Sequence, residues 1–435
     1  MEPLHLNRRF LLLAGVALAL PVPALAADRP SPEVVVLQWY RLILELIRHT
    51  ATYSPPVASR AFAYLGVALW EAVASARGLT SLAGQANGLT PLPAAPGAVD
   101  EAALVHATLS IATVQLFANT GPTGQRAMTA MTAKLGAKVT DGLDAALAAD
   151  SAAHGVAIVA HILAWAETDG GSTVENMGFP RQWTPGGKPS SWVPTSAIRL
   201  QQTPLLPDWG QNRPFSLTGD LPCGLPSHPE YSEDPASAFY AEAVEVVEIS
   251  KSLTDEQKLI ARFWSDDPML SPTPPGHWVS ILTEISARDA LPLDRMADAL
   301  VRLGMAVADA FIVCWRVKLE YDLLRPITYI RRLIEPKWEP LLNTPPFPEY
   351  PSGHSTQSGA ASSVLEAIFG PNFAFEDATH EAEGLPVRSF PSFSAAAEEA
   401  GISRLYGGIH FRAAIDNGIS QGECVAEFVN RMKTL

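Results

Sequence analysis

Cysteine is scarce in this chain, with only Cys223, Cys314 and Cys424 among 435 residues. Three cysteines allow at most one disulfide and leave an odd thiol. Neither a CxxC pair nor a Cys/His ligand spacing occurs, which argues against a structural zinc. Cys314 lies in the apolar run VADAFIVCW, a setting for a buried and inert thiol. Basic residues are also in deficit: 31 Lys and Arg face 45 Asp and Glu, for a net charge of −14 at pH 7. That balance argues against nucleic acid or an anionic membrane surface as partner. Charged residues make up only 17% and hydrophobic ones 47%, the composition of a compact globular chain. Sustained two-residue alternation of apolar and polar side chains is missing too, so no sheet architecture is indicated.

The first residues read as an address. NRRFLLLAGVALALPVPALAA has a basic start at Arg8 and Arg9, an apolar run, and small residues at a cleavage point near Ala26. Residues 1–27 are therefore expected to be a cleaved export signal. The arginine pair hints at the twin-arginine type, although Phe10 follows it without a spacer. The apolar run is short and interrupted by prolines, which argues against a stable membrane anchor. No cysteine lies near the cleavage point to carry a lipid. The mature protein is expected in the periplasm or secreted.

Helical periodicity fills most of the remainder. Ser31-Pro32 opens a helix over 31–50, and 58–78 repeats the pattern up to Gly78. Further helices are predicted over 101–118, 122–167, 235–251, 254–266, 276–289, 292–320, 353–369 and 418–433. Residues 169–234 break the pattern with Gly, Pro, Ser and Asn, and embed Trp183, Trp192 and Trp209. A segment of that length without periodicity is functional or a linker, and its tryptophans suit packing over helices. The expectation is an all-α protein: an N-terminal bundle over 28–168, a connecting segment over 169–234, and a C-terminal bundle over 235–435 that carries the chemistry.

Three short blocks hold that chemistry. KLEYDLLRP sets Lys318 and Arg325 seven apart, two helical turns on one face, with Pro326 read as the helix end. PSGHS puts Ser352 at an N-cap, Gly353 where backbone can approach a ligand, and His354 at the helix start, where free N–H groups attract anions. SRLYGGIHFR holds Arg404 and His410 around Gly407-Gly408, a turn that would fold the histidine back towards the arginine. Separately, each block has a bland reading as a basic edge, a capped helix or a structural histidine. Together they supply three cations, neutral donors and two histidines, a set suited to a tetrahedral oxyanion.

In this order the blocks resemble the superfamily of type-2 phosphatidic-acid phosphatases and vanadium-dependent haloperoxidases. PPFPEYPSGH is similar to the haloperoxidase form of the second block. The stretches 192–217 and 260–278, and SPPVASRAFAYLGVALWEAV near the N-terminus, resemble the bacterial haloperoxidase-like branch. The resemblance runs from about residue 33 onward and implies two four-helix bundles. It implies that Lys318, Arg325 and Arg404 bind the oxygens of vanadate or phosphate beside Ser352 and Gly353. His354 would then be the acid–base residue, and His410 the vanadium ligand, or the nucleophile if phosphate is the substrate. Trp315 matches an aromatic near the site, Phe347 a position linked to halide preference and here of the chloroperoxidase type, and Asp267 an acid that holds the second arginine. Two positions depart from the pattern. Ala414 stands where the phosphatases carry an Asp that orients the last histidine, and Gln357 where an aromatic is common.

The reading that follows is a vanadate-dependent haloperoxidase. It would use hydrogen peroxide to oxidise halide, giving hypohalous acid or halogenating a small organic acceptor. A phosphomonoesterase working through a phosphohistidine, with no cofactor, is the alternative, and a simple oxyanion-binding protein the third. An extra helical hairpin would serve either an interface in a homo-oligomer or just the core.

Overall fold

Proline and capping side chains set where the helices begin. The computed structural model describes residues 29–180, 182–196, 202–219 and 223–435, so the predicted export signal lies outside the described residues. Ser31 caps α1 (Pro32–Arg48), its Oγ accepting from the Val34 N–H at 3.4 Å. Paired prolines open α2 (Pro55–Arg77), and Gly78 closes it at a φ of +67°, where a side chain would be strained. Asp100 and Asp144 cap α3 (Glu101–Leu116) and α5 (Ala145–Ala166). Between them runs α4 (Pro122–Val139). The helical stretch predicted over 122–167, with Gly136 and Gly142 as punctuation, forms two helices separated by a turn at residues 140–144, around Gly142.

After a short α6 (Gly171–Val174) and the connecting segment come α7 (Ala238–Ser252), α8 (Asp255–Phe263), α9 (Thr273–Arg288) and α10 (Leu293–Tyr321). The last four are α11 (Pro326–Leu333), α12 (Gly353–Phe369), α13 (Phe393–Tyr406) and α14 (Arg412–Asn430). Between α12 and α13 a small hairpin pairs β1 (Phe375–Asp377) with β2 (Arg388–Phe390), Phe375 opposite Phe390. Among the described residues the architecture is all-α apart from this hairpin. Pro326 does not end a helix: α10 stops at Asp322 in the left-handed region, and Pro326 occupies the first turn of α11 with Arg325 as N-cap. Lys318 and Arg325 therefore meet across a helix break, not along one helical face.

The two halves share α10. It is 29 residues long, about 44 Å at 1.5 Å per residue, and buried along nearly its whole length. It lies against α2 on one side and α12 and α14 on the other. Glycines permit the close crossing with α2. A Cβ on Gly66 would come 2.8 Å from the Val301 Cα, and one on Gly304 would come 2.8 Å from the Phe62 carbonyl. One hydrophobic core runs from Val35 through α10 to Met432, and a smaller one around Phe239, Tyr329, Tyr350 and Phe411 lies beneath the site loop. α2 has the length and apolarity of a membrane span, and its burial in this core accounts for both.

The connecting segment is packed down rather than free. Trp192 and Trp209 are buried. Asp309, on α10, accepts from the Phe215 and Ser216 N–H groups at 2.6 and 2.8 Å. A disulfide joins Cys223 to Cys424 on α14, and Cys314 remains a buried free thiol.

α12 and α14 touch backbone to backbone. A Cβ added to Gly422 would lie 2.0 Å from the Thr356 carbonyl oxygen and 2.5 Å from the Ala360 nitrogen. Helix backbone cannot yield as a flexible side chain does, so Gly422→Ala should destabilise the fold by about 3 kcal/mol. Denaturant unfolding of the two proteins measures it, and a loss under about 1 kcal/mol would show that the helices separate at little cost.

Candidate functional site

Five chain segments converge at the C-terminal end of α10. That helix brings Trp315 and Lys318, the break before α11 brings Arg325, and the start of α12 brings Ser352, Gly353 and His354. The last turn of α13 brings Arg404, and the turn between α13 and α14 brings His410. The Gly407-Gly408 turn folds as its sequence suggests, with Gly408 at a φ of +74° and the Ile409 N–H on the Arg404 carbonyl at 3.1 Å. Lys318 and Arg325 are fully buried, and Arg404 and His410 nearly so. His354 and Phe347 keep partial exposure at one edge of the site, although His354 Nε2 itself is buried.

The proline-rich loop before Ser352 answers these cations with carbonyls. Proline has no N–H, so such a loop carries an excess of acceptors. Lys318 Nζ donates to the carbonyls of Pro348 at 2.9 Å and Glu349 at 3.0 Å, and to that of Pro351. Its three hydrogens are thereby used on the loop. Arg325 Nε donates to the Phe347 carbonyl at 2.8 Å, and its Nη1 to the Ile409 carbonyl at 2.9 Å and to His410 Nε2 at 3.0 Å. The Phe347 ring lies under both cations, 5.2 Å from Lys318 Nζ and 4.9 Å from the Arg325 guanidinium, and packs on Trp315 at 4.9 Å.

What remains unused is a set of donors. Arg325 Nη2 and Arg404 Nε are buried with no partner among the described residues, and His354 Nε2, on a neutral ring, is likewise unpartnered. Ser352 Oγ accepts from the Ser355 N–H at 3.3 Å, as an N-cap should, and its own hydroxyl hydrogen is left to donate. The first N–H groups of α12 have no acceptor within the helix and point its positive end at the same place. Unpartnered donors around buried cations fit a multiply charged tetrahedral oxyanion, vanadate or phosphate, and fit no bare metal cation.

His410 has a partner that the motifs did not announce. Its Nδ1 lies within hydrogen-bond distance of Glu349 Oε1 at 2.9 Å, and the Phe411 N–H donates to the same oxygen at 2.9 Å. The orienting group that Ala414 cannot supply thus comes from the proline-rich loop. The available signal was a single carboxylate in an otherwise apolar stretch, PPFPEYPSG.

Burial governs the titration of the site. Burial first, then the charges of Arg325, Lys318 and Arg404, hold His410 well below the usual imidazole range, so it is neutral. Burial and Arg404 do the same to His354. Burial pulls Lys318 down to about 7 and pushes Glu349 up to about 7. Three carbonyls around Lys318 Nζ are nonetheless matched only by an ammonium.

Behind Arg404 lies a second buried cluster. Asp267 is the acid expected there, but the fully enclosed carboxylate is its neighbour Asp266, while Asp267 stays partly exposed. Asp266 offsets more of the cost of burying Arg404 than Asp267 does, and Arg404 Nη1 donates to the Trp264 carbonyl at 2.5 Å. His277 is held between two carboxylates, with Nδ1 at 3.0 Å from Asp266 and Nε2 at 2.8 Å from Asp377. His380 Nε2 meets Asp266 at 3.1 Å. Asp266, His277 and His380 bring ligand-type atoms within 4.8 Å of one another. Two carboxylates on one imidazole call for a proton on each ring nitrogen, so the cluster closes as an ion network.

Comparison with known proteins is consistent with this geometry. The family model described as the VCPO second helical-bundle domain matches residues 298–434. A solved bacterial vanadium-dependent iodoperoxidase superposes with a TM-score of 0.83 at 36% identity, covering 92% of this chain and 96% of its own. Holo and apo structures of bacterial vanadium-dependent chloroperoxidase share the fold at 16% and 17% identity, with TM-scores of 0.65 and 0.63. They cover 93% and 95% of this chain and 96% of each of theirs. No curated protein matches the chain by sequence.

The His277 network has a pH signature. Burial alone would lower the His277 pKa, but Asp266 and Asp377 outweigh it and raise it to about 10. A raised pKa gives stability that is complete below the unfolded value of 6.5 and is lost as pH climbs towards 10. Lys318, shifted the other way, works against this loss, so the measurement is a difference. The stability gap between the wild type and His277→Gln should narrow by up to about 1.4 kcal/mol per pH unit over that window. Denaturant unfolding across the range measures it, and a constant gap would mean that His277 is neutral.

Proposed function

The chain belongs to the vanadium-dependent haloperoxidase family, and from that premise we propose that its cradle binds vanadate and oxidises iodide with hydrogen peroxide. The balance is H2O2 + X⁻ + H⁺ → HOX + H2O, and the hypohalous acid either leaves or halogenates a small organic acceptor. The observation that carries the reading is the pair of unpartnered donors on Arg325 and Arg404, close enough to the His410 ring for their charges to act on it, with the unpartnered His354 Nε2 nearby. When bound, vanadate supplies a Lewis acid that makes peroxide electrophilic towards halide.

The chain's own residues then have separable tasks. His410, neutral and with Nδ1 against Glu349, would hold vanadium through its Nε2 lone pair, the nitrogen that Arg325 Nη1 now faces. Arg325 Nη2, Arg404 Nε, the Gly353 N–H and the Ser352 hydroxyl hold the anion's oxygens. Lys318 adds charge and fixes the loop whose carbonyls it binds. His354, kept neutral at the partly exposed edge, accepts a proton from arriving peroxide at Nε2 and returns it to the departing water. Trp315 and Phe347 form the apolar floor beneath the cations.

Iodide is the halide proposed because it gives up electrons most readily and because the 36%-identical relative is an iodoperoxidase. Phe347 points to chloride instead, so all three halides belong in the assay. Export to the periplasm or beyond is part of the proposal, supported by the Cys223–Cys424 disulfide, a bond of oxidising compartments. Glu349 also supports a second reading for the vanadate-free protein. A carboxylate–histidine pair in an oxyanion cradle is the machinery of a phosphomonoesterase, with His410 as nucleophile.

Metal-free protein given orthovanadate, peroxide and iodide should form triiodide, and His410→Ala should abolish both vanadate binding and turnover. His354→Ala should keep binding and lower kcat by about a hundredfold. Chloride or bromide oxidised faster than iodide would overturn the halide assignment. Release of p-nitrophenol from its phosphate, without halide oxidation, would establish the second reading.

A further inference from the structure

We propose that Glu349 is a positioning residue that holds His410 in the Nδ1–H form, so that the Nε2 lone pair faces the anion cradle. This rests on the reading of His410 as the vanadium-bonding residue. A neutral imidazole carries its hydrogen on either nitrogen, and only one of the two forms leaves Nε2 free to bond. Two contacts decide between them from opposite sides of the ring. Glu349 Oε1 already accepts the Phe411 N–H at 2.9 Å, so towards His410 Nδ1, also at 2.9 Å, it is an acceptor. On the far side, Arg325 Nη1 stands 3.0 Å from Nε2, and a guanidinium can only donate. Both contacts demand the same form.

Glu349 is itself held without choice. It is fully buried, its N–H donates to the Leu323 carbonyl at 2.9 Å, and its carbonyl accepts from Lys318. Its other carboxylate oxygen, Oε2, is buried without a partner among the described residues, so a proton taken up there would leave Oε1 an acceptor. The requirement is therefore for an oxygen at the Oε1 position, not for a charge. An amide in place of the carboxylate meets it, and a hydrocarbon does not. The arrangement follows the rule that a ligating histidine is fixed through its second nitrogen, here by a residue five before His354 in the loop.

The test uses the full chain, wild type and with Glu349→Leu or Glu349→Gln. Two-bond ¹H–¹⁵N correlation spectra read the His410 ring form, the signal being assigned by its loss in His410→Gln. Equilibrium dialysis of the metal-free protein against orthovanadate reads affinity. The wild type should show the Nδ1–H form. Glu349→Leu should lose that form and about ten- to a hundredfold in orthovanadate affinity, and Glu349→Gln should retain both. A proton on Nε2 in the wild type, or a Leu variant with wild-type spectrum and affinity, overturns the proposal. If circular dichroism shows the Leu variant unfolded, Glu349→Asp, which withdraws the oxygen by one methylene, decides on the same readouts: a mixed ring form with weaker binding sustains the proposal, and no change overturns it. A wild type that binds no orthovanadate defeats the haloperoxidase reading, while the ring form still judges Glu349.

Discussion

Three cations buried at one point, with too little negative charge around them, are the constraint on which the rest of the structure depends. Lys318, Arg325 and Arg404 are each almost wholly out of water, and the buried carboxylates near them are Glu349 and Asp266. Burying an ion is costly unless it is paired and hydrogen-bonded. The chain meets part of that cost with neutral acceptors. Carbonyls of Phe347, Pro348, Glu349 and Pro351 surround Lys318 and Arg325, in a loop whose prolines bring no competing hydrogens. The rest stays unmet, and a site that is short of negative charge selects oxyanions.

The two carboxylates are not interchangeable. Glu349 touches His410 and acts on one ring, whereas Asp266 is tied to two histidines and acts on Arg404 only through space. The ion network of Asp266, His277, Asp377 and His380 also joins α9 to the small hairpin. It gives the segment carrying the Trp264 carbonyl, and hence Arg404, a fixed support. The hairpin, an interruption in an otherwise helical chain, has its use here.

Much of this was legible in the sequence, and the failures have physical reasons. Ser352, Gly353 and His354 announce themselves because a cap, a glycine and a helix start are local features. The Arg404–His410 turn was readable from its two glycines. α13, which carries Arg404, has no strong one-sided apolar stripe because it is buried on several sides. α11 was hidden because Pro326 stops or starts a helix equally well in sequence. Asp266 and Asp267 are adjacent, and only the backbone, with Asp266 at a φ of +47°, decides which carboxylate turns inward. Glu349 lies 61 residues from His410, and nothing local records that contact.

α10 runs through both halves and is gripped on nearly every side, with Trp315 and Lys318 near its last turn. Its grip leaves the frame of the cradle no room to slide or close. An arriving anion would meet side-chain donors already in place, around a helix packed along nearly its whole length. Recognition of this kind is preorganised. It draws on charge and hydrogen bonding with almost no apolar surface newly covered, so the heat-capacity change that marks closure of a hydrophobic lid has no source here.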